Sequence, residues 1–235
     1  MNKKPVSADT ETDVLYKHMR QKYGEGNSRA NGYICQRFFL NEQKIVLSEV
    51  DANFQTVIDI GCGSGLMLKP LIGRIKSVIG FDFNEIACAD ARLNGLPVIR
   101  ADAFRLPLPD NSVQVALNCQ FLNQQPTNNA QDLVKEMNRV LCKGGRCILV
   151  WRNHRAAIHQ LALLLFNSWH RIVGNPRFPH YDNPVNVIEQ MLIGSGFSKI
   201  VKKELIFPLI NWRTSNVDGL AGKLIGASCF IVAEK

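Results

Sequence analysis

The sequence lacks the cysteine spacings that usually bind metals. Its seven cysteines include no Cys-x-x-Cys pair, which argues against a zinc site, and no Cys-x-x-x-Cys-x-x-Cys run, which removes the usual ligands of an iron–sulfur cluster. The count is odd, and several cysteines lie within apolar runs such as "NCQF" and "SCFIV". We therefore expect reduced thiols that pack as small hydrophobic side chains in a cytoplasmic protein without a resident metal.

Long hydrophobic runs are also missing. The first 13 residues, "MNKKPVSADTETD", contain no apolar segment of the kind that directs secretion. The most apolar later stretch, residues 156–174, is interrupted by six polar residues, which is too often for a membrane span. The sequence therefore predicts neither a secretory signal nor a transmembrane helix.

Acidic residues are outnumbered, and the net charge is +8 with a pI near 9.2. Such an excess favours polyanionic partners, but the basic residues are dispersed and the longest clusters are the pairs Lys3-Lys4 and Lys202-Lys203. The chain has 235 residues, of which 46% are hydrophobic and 20% charged. This balance is typical of a globular protein with one full core.

Strand-like and helix-like segments alternate from Thr56 to Trp151. The apolar runs "TVIDI", "SVIGFD", "PVIRAD", "SVQVALN" and "RCILVW" predict strands, and "LMLKPLIGR", "NEIACADARLNG" and "AQDLVKEMNRVL" predict helices. Nearly all-apolar strands joined by crossovers are typical of a parallel sheet that is buried on both faces. The pattern predicts an α/β fold with a doubly wound sheet.

Further elements flank this region. Residues 14–50 fit two helices, and residues 156–173 fit an amphipathic helix within a lid insertion at about 154–182. "NPVNVIEQMLIGSGF" fits another helix, and "SKIVKKELIF" and "ASCFIVAEK" fit two final strands that pair antiparallel at an edge. We expect a helical cap over residues 1–50 and a main domain over 51–235.

The segment "DIGCGSG" places Asp59 at a strand end, just before three alternating glycines. In a doubly wound sheet, ligands bind beyond the carboxyl ends of the strands, and small residues let backbone N–H groups approach them. The spacing is not that of a dinucleotide site, because Leu66 stands where the third glycine belongs, and the ending of a phosphate-binding loop is missing. The acid would repel a pyrophosphate; it indicates a ligand that carries an ammonium group, or it holds the turn through a water molecule.

Two more acids end the next two strands. Asp82 follows Asp59 by 23 positions, and an acid about this far along accepts hydrogen bonds from ribose hydroxyls. Asp102 is placed to accept from an adenine amino group, while the Ala103 N–H bonds the ring and Phe104 packs nearby. Three acids at consecutive strand ends predict a nucleoside site at one edge of the sheet.

The segments "VIDIGCGSG", "VIGFD", "RADAFRLPLPDNSVQVALN" and "EMNRVLCKGGRCILV" resemble successive motifs of the class I S-adenosylmethionine-dependent methyltransferases. The resemblance is to the type 11 branch, which includes the ubiquinone and menaquinone methyltransferases, and it covers about residues 56–151 and the last two strands. It implies a Rossmann-like methyltransferase fold with a mostly parallel seven-stranded sheet and an antiparallel last strand. It also implies S-adenosyl-L-methionine as cofactor and S-adenosyl-L-homocysteine as product.

The resemblance also implies roles for single residues. Asp59 would face the amino group of the cofactor, Asp82 the ribose, and Asn118 the region of the sulfonium. Arg37 resembles an N-terminal arginine that pairs with the cofactor carboxylate. The implied cofactor-binding set is Arg37, Asp59, Gly61, Cys62, Gly63, Gly65, Asp82, Phe83, Asp102, Ala103, Phe104 and Asn118.

Two positions depart from the family pattern. Gln114 stands where relatives commonly have an acid that supports structure, and "NCQFLNQQ" has amides where many relatives have histidines. The candidate general bases are His154, His159, His170 and His180, all after the fifth strand, and His154 is the best placed because it lies near the carboxyl end of that strand.

The implied function is methyl transfer to a small, apolar or aromatic molecule by in-line displacement at the sulfonium methyl. The aromatic residues in and beside the predicted lid suit such an acceptor: Phe166, Trp169, Phe178 and Tyr181. A methyltransferase that acts on RNA or protein, as the net charge suggests, and a non-catalytic cofactor-binding protein are the alternatives that the sequence leaves open.

Overall fold

The computed structural model describes residues 11–24, 33, 35–153, 155–157, 160–161, 181–207 and 212–235. The strands are β1 Thr56–Ile60, β2 Ser77–Asp82, β3 Val98–Arg100, β4 Val113–Cys119, β5 Leu141–Arg152, β6 Lys199–Phe207, β7 Trp212–Thr214 and β8 Ser228–Glu234. The α-helices are α1 Glu11–Tyr23, α2 Gln36–Leu47, α3 Glu85–Leu93, α4 Thr127–Val140, α5 Val185–Gly194 and α6 Leu220–Ile225, with short 3-10 turns at Lys69–Leu71 and Leu122–Gln124.

One sheet joins the eight described strands in the order β3-β2-β1-β4-β5-β8-β6-β7. The first five strands are parallel, and β8 runs antiparallel to both β5 and β6. The order of the parallel strands reverses between β1 and β4, which opens a crevice at their carboxyl ends. The predicted doubly wound α/β fold is confirmed, and the reversal lies beside the glycine segment.

The structure corrects three details of the sequence-based prediction. The described sheet has eight strands and not seven, because Trp212–Thr214 pairs with the end of β6. The last strand lies inside the sheet, where its almost wholly apolar run is buried, and not at an edge. The helix predicted at "LMLKPLIGR" is a single 3-10 turn at Lys69–Leu71, because Pro70 cannot donate a helical hydrogen bond and Gly73, at φ +79°, ends the turn.

The two faces of the sheet bury separate apolar cores. Ile58 and Ile60 of β1 pack into the core under α4 and α5, and Val57 packs into the core under α2. Because strand side chains alternate between faces, Asp59 lies on the same face as Val57. This geometry points the acid toward the N-terminal helices.

The predicted boundaries of α3 are confirmed. The Asn84 side chain accepts the Ala87 N–H at 2.9 Å and caps α3, and Gly95 follows that helix at φ +84°. All seven cysteines are free thiols. None of the helices in the described residues is long and apolar enough to cross a membrane. Most of the predicted insertion lies outside the described residues, including His154, Phe166, Trp169 and Phe178.

Candidate functional site

The glycine segment is a tight turn whose shape only glycine accommodates. Gly61, Gly63 and Gly65 have φ values of +75°, +54° and +76°. A Cβ at Gly61 would lie 2.7 Å from Phe121, and one at Gly65 would lie 2.8 Å from Leu96. The turn therefore brings bare backbone to the carboxyl end of β1.

Asp82 holds this turn in place. One carboxylate oxygen accepts the Gly63 N–H at 2.8 Å, and the other accepts the Asn84 N–H at 2.9 Å. Burial raises the pKa of Asp82, and these backbone donors act against that rise. Asp82, which is predicted to bind the ribose, is therefore in contact with the predicted glycine loop.

Asp59 is buried at the end of β1 with only 1% of its surface exposed. Its Oδ1 atom has no hydrogen-bond partner among the described residues. Burial, and secondarily the charge of Asp82, raise the pKa of Asp59 to about 8. A carboxyl group in this setting either keeps its proton at neutral pH or gains from a cationic partner, so the site fits a ligand ammonium group.

Two of the predicted site residues have structural contacts. Asn118 is fully buried, donates to the Ile60 carbonyl at 2.7 Å and accepts the Leu122 N–H at 3.1 Å. It ties the end of β1 to the turn after β4. The Cys62 thiol packs against the sheet, where a Cβ at Gly80 would lie 2.6 Å from its sulfur.

The predicted adenine side lies at the ends of β2 and β3. Phe83 is 44% exposed, and the Arg100 guanidinium lies 5.4 Å from the centre of its ring. Asp102 is exposed and accepts the Phe104 N–H at 2.9 Å. Ala103 and Phe104 are partly buried against the core. Four predicted site residues border the same edge of the sheet as Asp82: Phe83, Asp102, Ala103 and Phe104.

Arg37 makes none of the contacts described for the other predicted site residues. It is exposed on the first turn of α2, and none of the ion pairs among the described residues involves it. Its pairing with a cofactor carboxylate stays a prediction.

Gln114 takes over the structural task expected of an acid. Its side-chain oxygen accepts the backbone N–H groups of Gln55 at 2.6 Å and Thr56 at 3.3 Å. The Thr56 hydroxyl in turn accepts the Gln114 N–H at 3.0 Å. An amide oxygen therefore serves at the start of β1, far from the carboxyl edge.

Helix α2 has buried polar residues that were not predicted from the sequence. Glu42 is fully buried; its carboxylate accepts the Gln120 amide at 2.9 and 3.1 Å, the Ser228 hydroxyl at 2.9 Å and the Tyr33 hydroxyl. The sequence feature that could have predicted the burial of Glu42 is its position four residues after Phe38, on the apolar stripe of the helix.

Two further contacts anchor the N-terminal helices beside the site. Gln43 donates to the Leu66 carbonyl at 2.6 Å, directly after the glycine turn. On α1, Arg20 pairs with the nearly buried Asp90 of α3 at 3.0 Å. Burial, followed by the charge of Asp82, raises the pKa of Tyr16 on α1. Both helices therefore border the crevice.

The sequence profile of the methyltransferase domain family matches residues 58–149 of the chain, from β1 to β5. The match covers 92 of the 235 residues. Over this region the resemblance to the type 11 branch of the class I S-adenosylmethionine-dependent methyltransferases is confirmed.

Two curated relatives are similar to part of this chain. A 25S rRNA (adenine-N(1))-methyltransferase of Chaetomium thermophilum is 37% identical over 87 residues, which are 37% of this chain and 14% of the relative. A probable S-adenosylmethionine-dependent methyltransferase of Mycolicibacterium smegmatis is 35% identical over 91 residues, 38% of this chain and 35% of the relative. The match thus spans well under half of either relative.

Solved structures match the fold of almost the whole chain. A SAM-dependent methyltransferase from Archaeoglobus fulgidus has a TM-score of 0.67 at 18% identity, over 94% of this chain and 99% of that one. Magnesium protoporphyrin IX methyltransferase from Synechocystis, solved with bound S-adenosylhomocysteine, has a TM-score of 0.63 at 18% identity, over 97% of this chain and all of that one (100%). At these identities the likeness is one of fold.

Proposed function

We propose that the protein transfers a methyl group from S-adenosyl-L-methionine to a small, apolar or aromatic acceptor. The observation that carries the proposal is the buried Asp59 oxygen without a partner among the described residues, beside a turn of bare glycine backbone. A buried acceptor without a partner is costly, and the ammonium group of an amino-acid moiety would remove that cost. The match of residues 58–149 to the methyltransferase domain family supports the choice of cofactor.

The proposed cofactor contacts follow the edge of the sheet. Asp59 pairs with the amino group, Asp82 accepts the ribose hydroxyls, and Asp102 with Ala103 binds the adenine. Phe83 packs on the adenosine, since its ring is exposed beside Asp82. The bound S-adenosylhomocysteine of the Synechocystis neighbour supports this class of ligand.

When bound, S-adenosylmethionine supplies a sulfonium methyl that a nucleophile displaces in line: the S–C bond breaks, the nucleophile–C bond forms and a thioether remains. The chain itself orients the reactants and excludes water. Asn118 fixes the ends of β1 and β4, between which the reactants meet. A hydroxyl acceptor needs a base for its proton, and His154 is the proposed one; a neutral amine can release its proton to water.

An apolar or aromatic acceptor fits the rings around the glycine turn. Phe121 contacts the position of Gly61, and the Phe104 ring lies 6.5 Å from the Phe121 ring. We further propose that residues 1–50 and the insertion at about 154–182 border the acceptor as cap and lid.

A second candidate is methyl transfer to RNA. It is favoured by the relative from Chaetomium thermophilum, which is named as a 25S rRNA (adenine-N(1))-methyltransferase, and by the net charge of +8. Binding to RNA would weaken steeply as salt concentration rises.

The test is transfer of a radiolabelled methyl group from S-adenosylmethionine. Separate reactions contain phenols, amines and imidazoles, or purified rRNA and tRNA. We expect label in a small aromatic acceptor and none in RNA. Label in RNA, with binding that falls as salt rises, would select the second candidate. Absence of cofactor binding would refute both.

A further inference from the structure

A second buried acceptor without a partner lies at the end of β4. Gln120 follows the strand at once, and its backbone N–H bonds the Val150 carbonyl at 2.7 Å. Its φ of +65° is a left-handed conformation that a residue other than glycine rarely adopts. The side-chain Oε1 atom is buried and has no hydrogen-bond partner among the described residues.

The contact with Glu42 determines which end of the Gln120 side-chain amide has no hydrogen-bond partner in the described part of the chain. The two carboxylate oxygens of Glu42 lie 2.9 and 3.1 Å from the Gln120 Nε2, and only the N–H end of an amide can donate to a carboxylate. The Ser228 and Tyr33 hydroxyls and the charge of Arg152 hold Glu42 on its other sides. The amide therefore cannot turn over without leaving the carboxylate, and the buried side-chain atom of Gln120 without a partner among the described residues is the acceptor Oε1.

The position of Gln120 relates it to the proposed reaction. Asp59 lies on β1, which pairs directly with β4, so both partnerless acceptors stand at the carboxyl edge of adjacent strands. The thiol of Cys119, next to Gln120, has a pKa raised by burial and by both the Asp59 and the Glu42 charges, which places it near both carboxylates. Gln120 as a residue is partly exposed, although its Oε1 atom is buried.

We infer that Gln120 Oε1 accepts a hydrogen bond from an N–H or O–H group of the methyl acceptor, and that Glu42 is the positioning residue that keeps this oxygen turned toward it. This inference rests on the proposed function, whose acceptor class it narrows. Acceptors with a donor hydrogen at or beside the methylated atom are favoured, and carboxylates or thiolates without one are not. The hydrogen bond holds the acceptor while its own lone pair attacks.

The test uses matched probes on the protein saturated with S-adenosylhomocysteine. Phenol is compared with anisole, and imidazole with 1-methylimidazole, so that each pair differs by the donor hydrogen. Binding is followed by the NMR shift of the Gln120 side-chain amide and, in every variant, of the neighbouring backbone. We expect the donor of each pair to bind about threefold to tenfold more tightly, as one hydrogen bond allows.

Two variants separate binding from folding. In Gln120→Met the preference should vanish while affinity for S-adenosylhomocysteine stays within about twofold. In Glu42→Gln the amide at position 42 offers a donor as well as an acceptor, so Gln120 Oε1 is free to turn toward it and the preference should fall although Gln120 is intact. Gln131→Met is the matched control, because Gln131 donates instead to Ser195 at 2.9 Å on the far side of the sheet, and it should keep the preference.

The outcomes are distinguishable. Failure of the wild-type protein to bind S-adenosylhomocysteine contradicts the proposed function and this inference with it. If the nucleoside binds, equal affinity within both probe pairs, or no saturable shift at Gln120, overturns the inference alone. So does a preference that persists in Gln120→Met.

Discussion

The Asp82 carboxylate and the Gly63 N–H are joined by a hydrogen bond of 2.8 Å, which ties the end of β2 to the middle of the glycine turn. The other carboxylate oxygen accepts the Asn84 N–H, so one side chain shapes both the turn and the start of α3. The acid proposed to bind the ribose therefore also positions the backbone that would face the rest of the cofactor. Its loss should affect binding in two ways at once.

Replacing Asp82 by Ala should weaken S-adenosylhomocysteine binding by roughly 10-fold to 100-fold, the range expected for hydrogen bonds to a charged group. Isothermal titration measures the change. Asp51→Ala is the matched control, because Asp51 also accepts the N–H two residues on, from Asn53 at 2.8 Å, but in an exposed turn before β1. Equal affinities of the two variants would contradict the assignment of Asp82.

Gly61→Ala should weaken cofactor binding more than the same substitution at another glycine with positive φ. Both Gly61 and Gly73 have positive φ, +75° and +79°, so alanine strains either backbone by roughly 1–2 kcal/mol. Only at Gly61 does the added Cβ meet Phe121, at 2.7 Å, whereas Gly73 has open space. Thermal unfolding should show destabilisation of both variants, and cofactor binding should fall in Gly61→Ala alone. Loss of binding in Gly73→Ala would count against the site.

Asp59 should make the protein without cofactor less stable as pH rises. Its folded pKa of about 8 lies above the ordinary value of 3.8, so its contribution is full below about pH 4 and is lost as pH rises through about 8. The Asp59→Asn variant lacks this loss. The free energy of unfolding, measured by denaturant, should shift in favour of the variant by at most about 1.4 kcal/mol per pH unit.

A constant difference between wild type and Asp59→Asn from pH 4.5 to 8 would show that Asp59 ionises normally. The same variant should also bind S-adenosylhomocysteine more weakly at pH 8, because it lacks the carboxylate for the ammonium group.

Arg139 should matter for stability but not for the site. It donates to the Leu106 and Leu108 carbonyls and to the largely buried Glu136. Arg139→Leu should lower the free energy of unfolding by roughly 1–3 kcal/mol and leave cofactor affinity unchanged. The control Arg213→Leu removes a pair with Glu204 on β6 and should cost less than about 1 kcal/mol. A similar decrease in the free energy of unfolding for both variants would show that the contacts of Arg139 stabilise the fold no more than an exposed ion pair does.

The sequence predicted the parts of the fold that local patterns determine. The apolar run of "TVIDI" and the Asn84 and Gly95 boundaries of α3 predicted real elements, because strand burial and helix capping act within a few residues. The order of acids along the chain also predicted their meeting at one edge, since parallel strands end on the same side.

Other features depend on contacts between distant residues. The place of β8 between β5 and β6 follows from pairing across the chain, and a short edge strand such as Trp212–Thr214 has too little pattern to be recognised. The contact between Glu42 and Gln120 joins residues 78 positions apart. In the sequence, Glu42 is a single acid on an apolar helix and Gln120 is one of several neighbouring amides, so nothing in the local pattern pairs the two residues.

The central claim is that the crevice between β1 and β4 binds an adenosyl amino acid through Asp59 and Asp82. Its most direct test is a crystal structure of the wild-type protein with S-adenosylhomocysteine. We expect the amino group within hydrogen-bond distance of Asp59 Oδ1 and the ribose hydroxyls on Asp82. A nucleoside bound elsewhere, out of reach of both carboxylates, would show that the crevice is not the cofactor site.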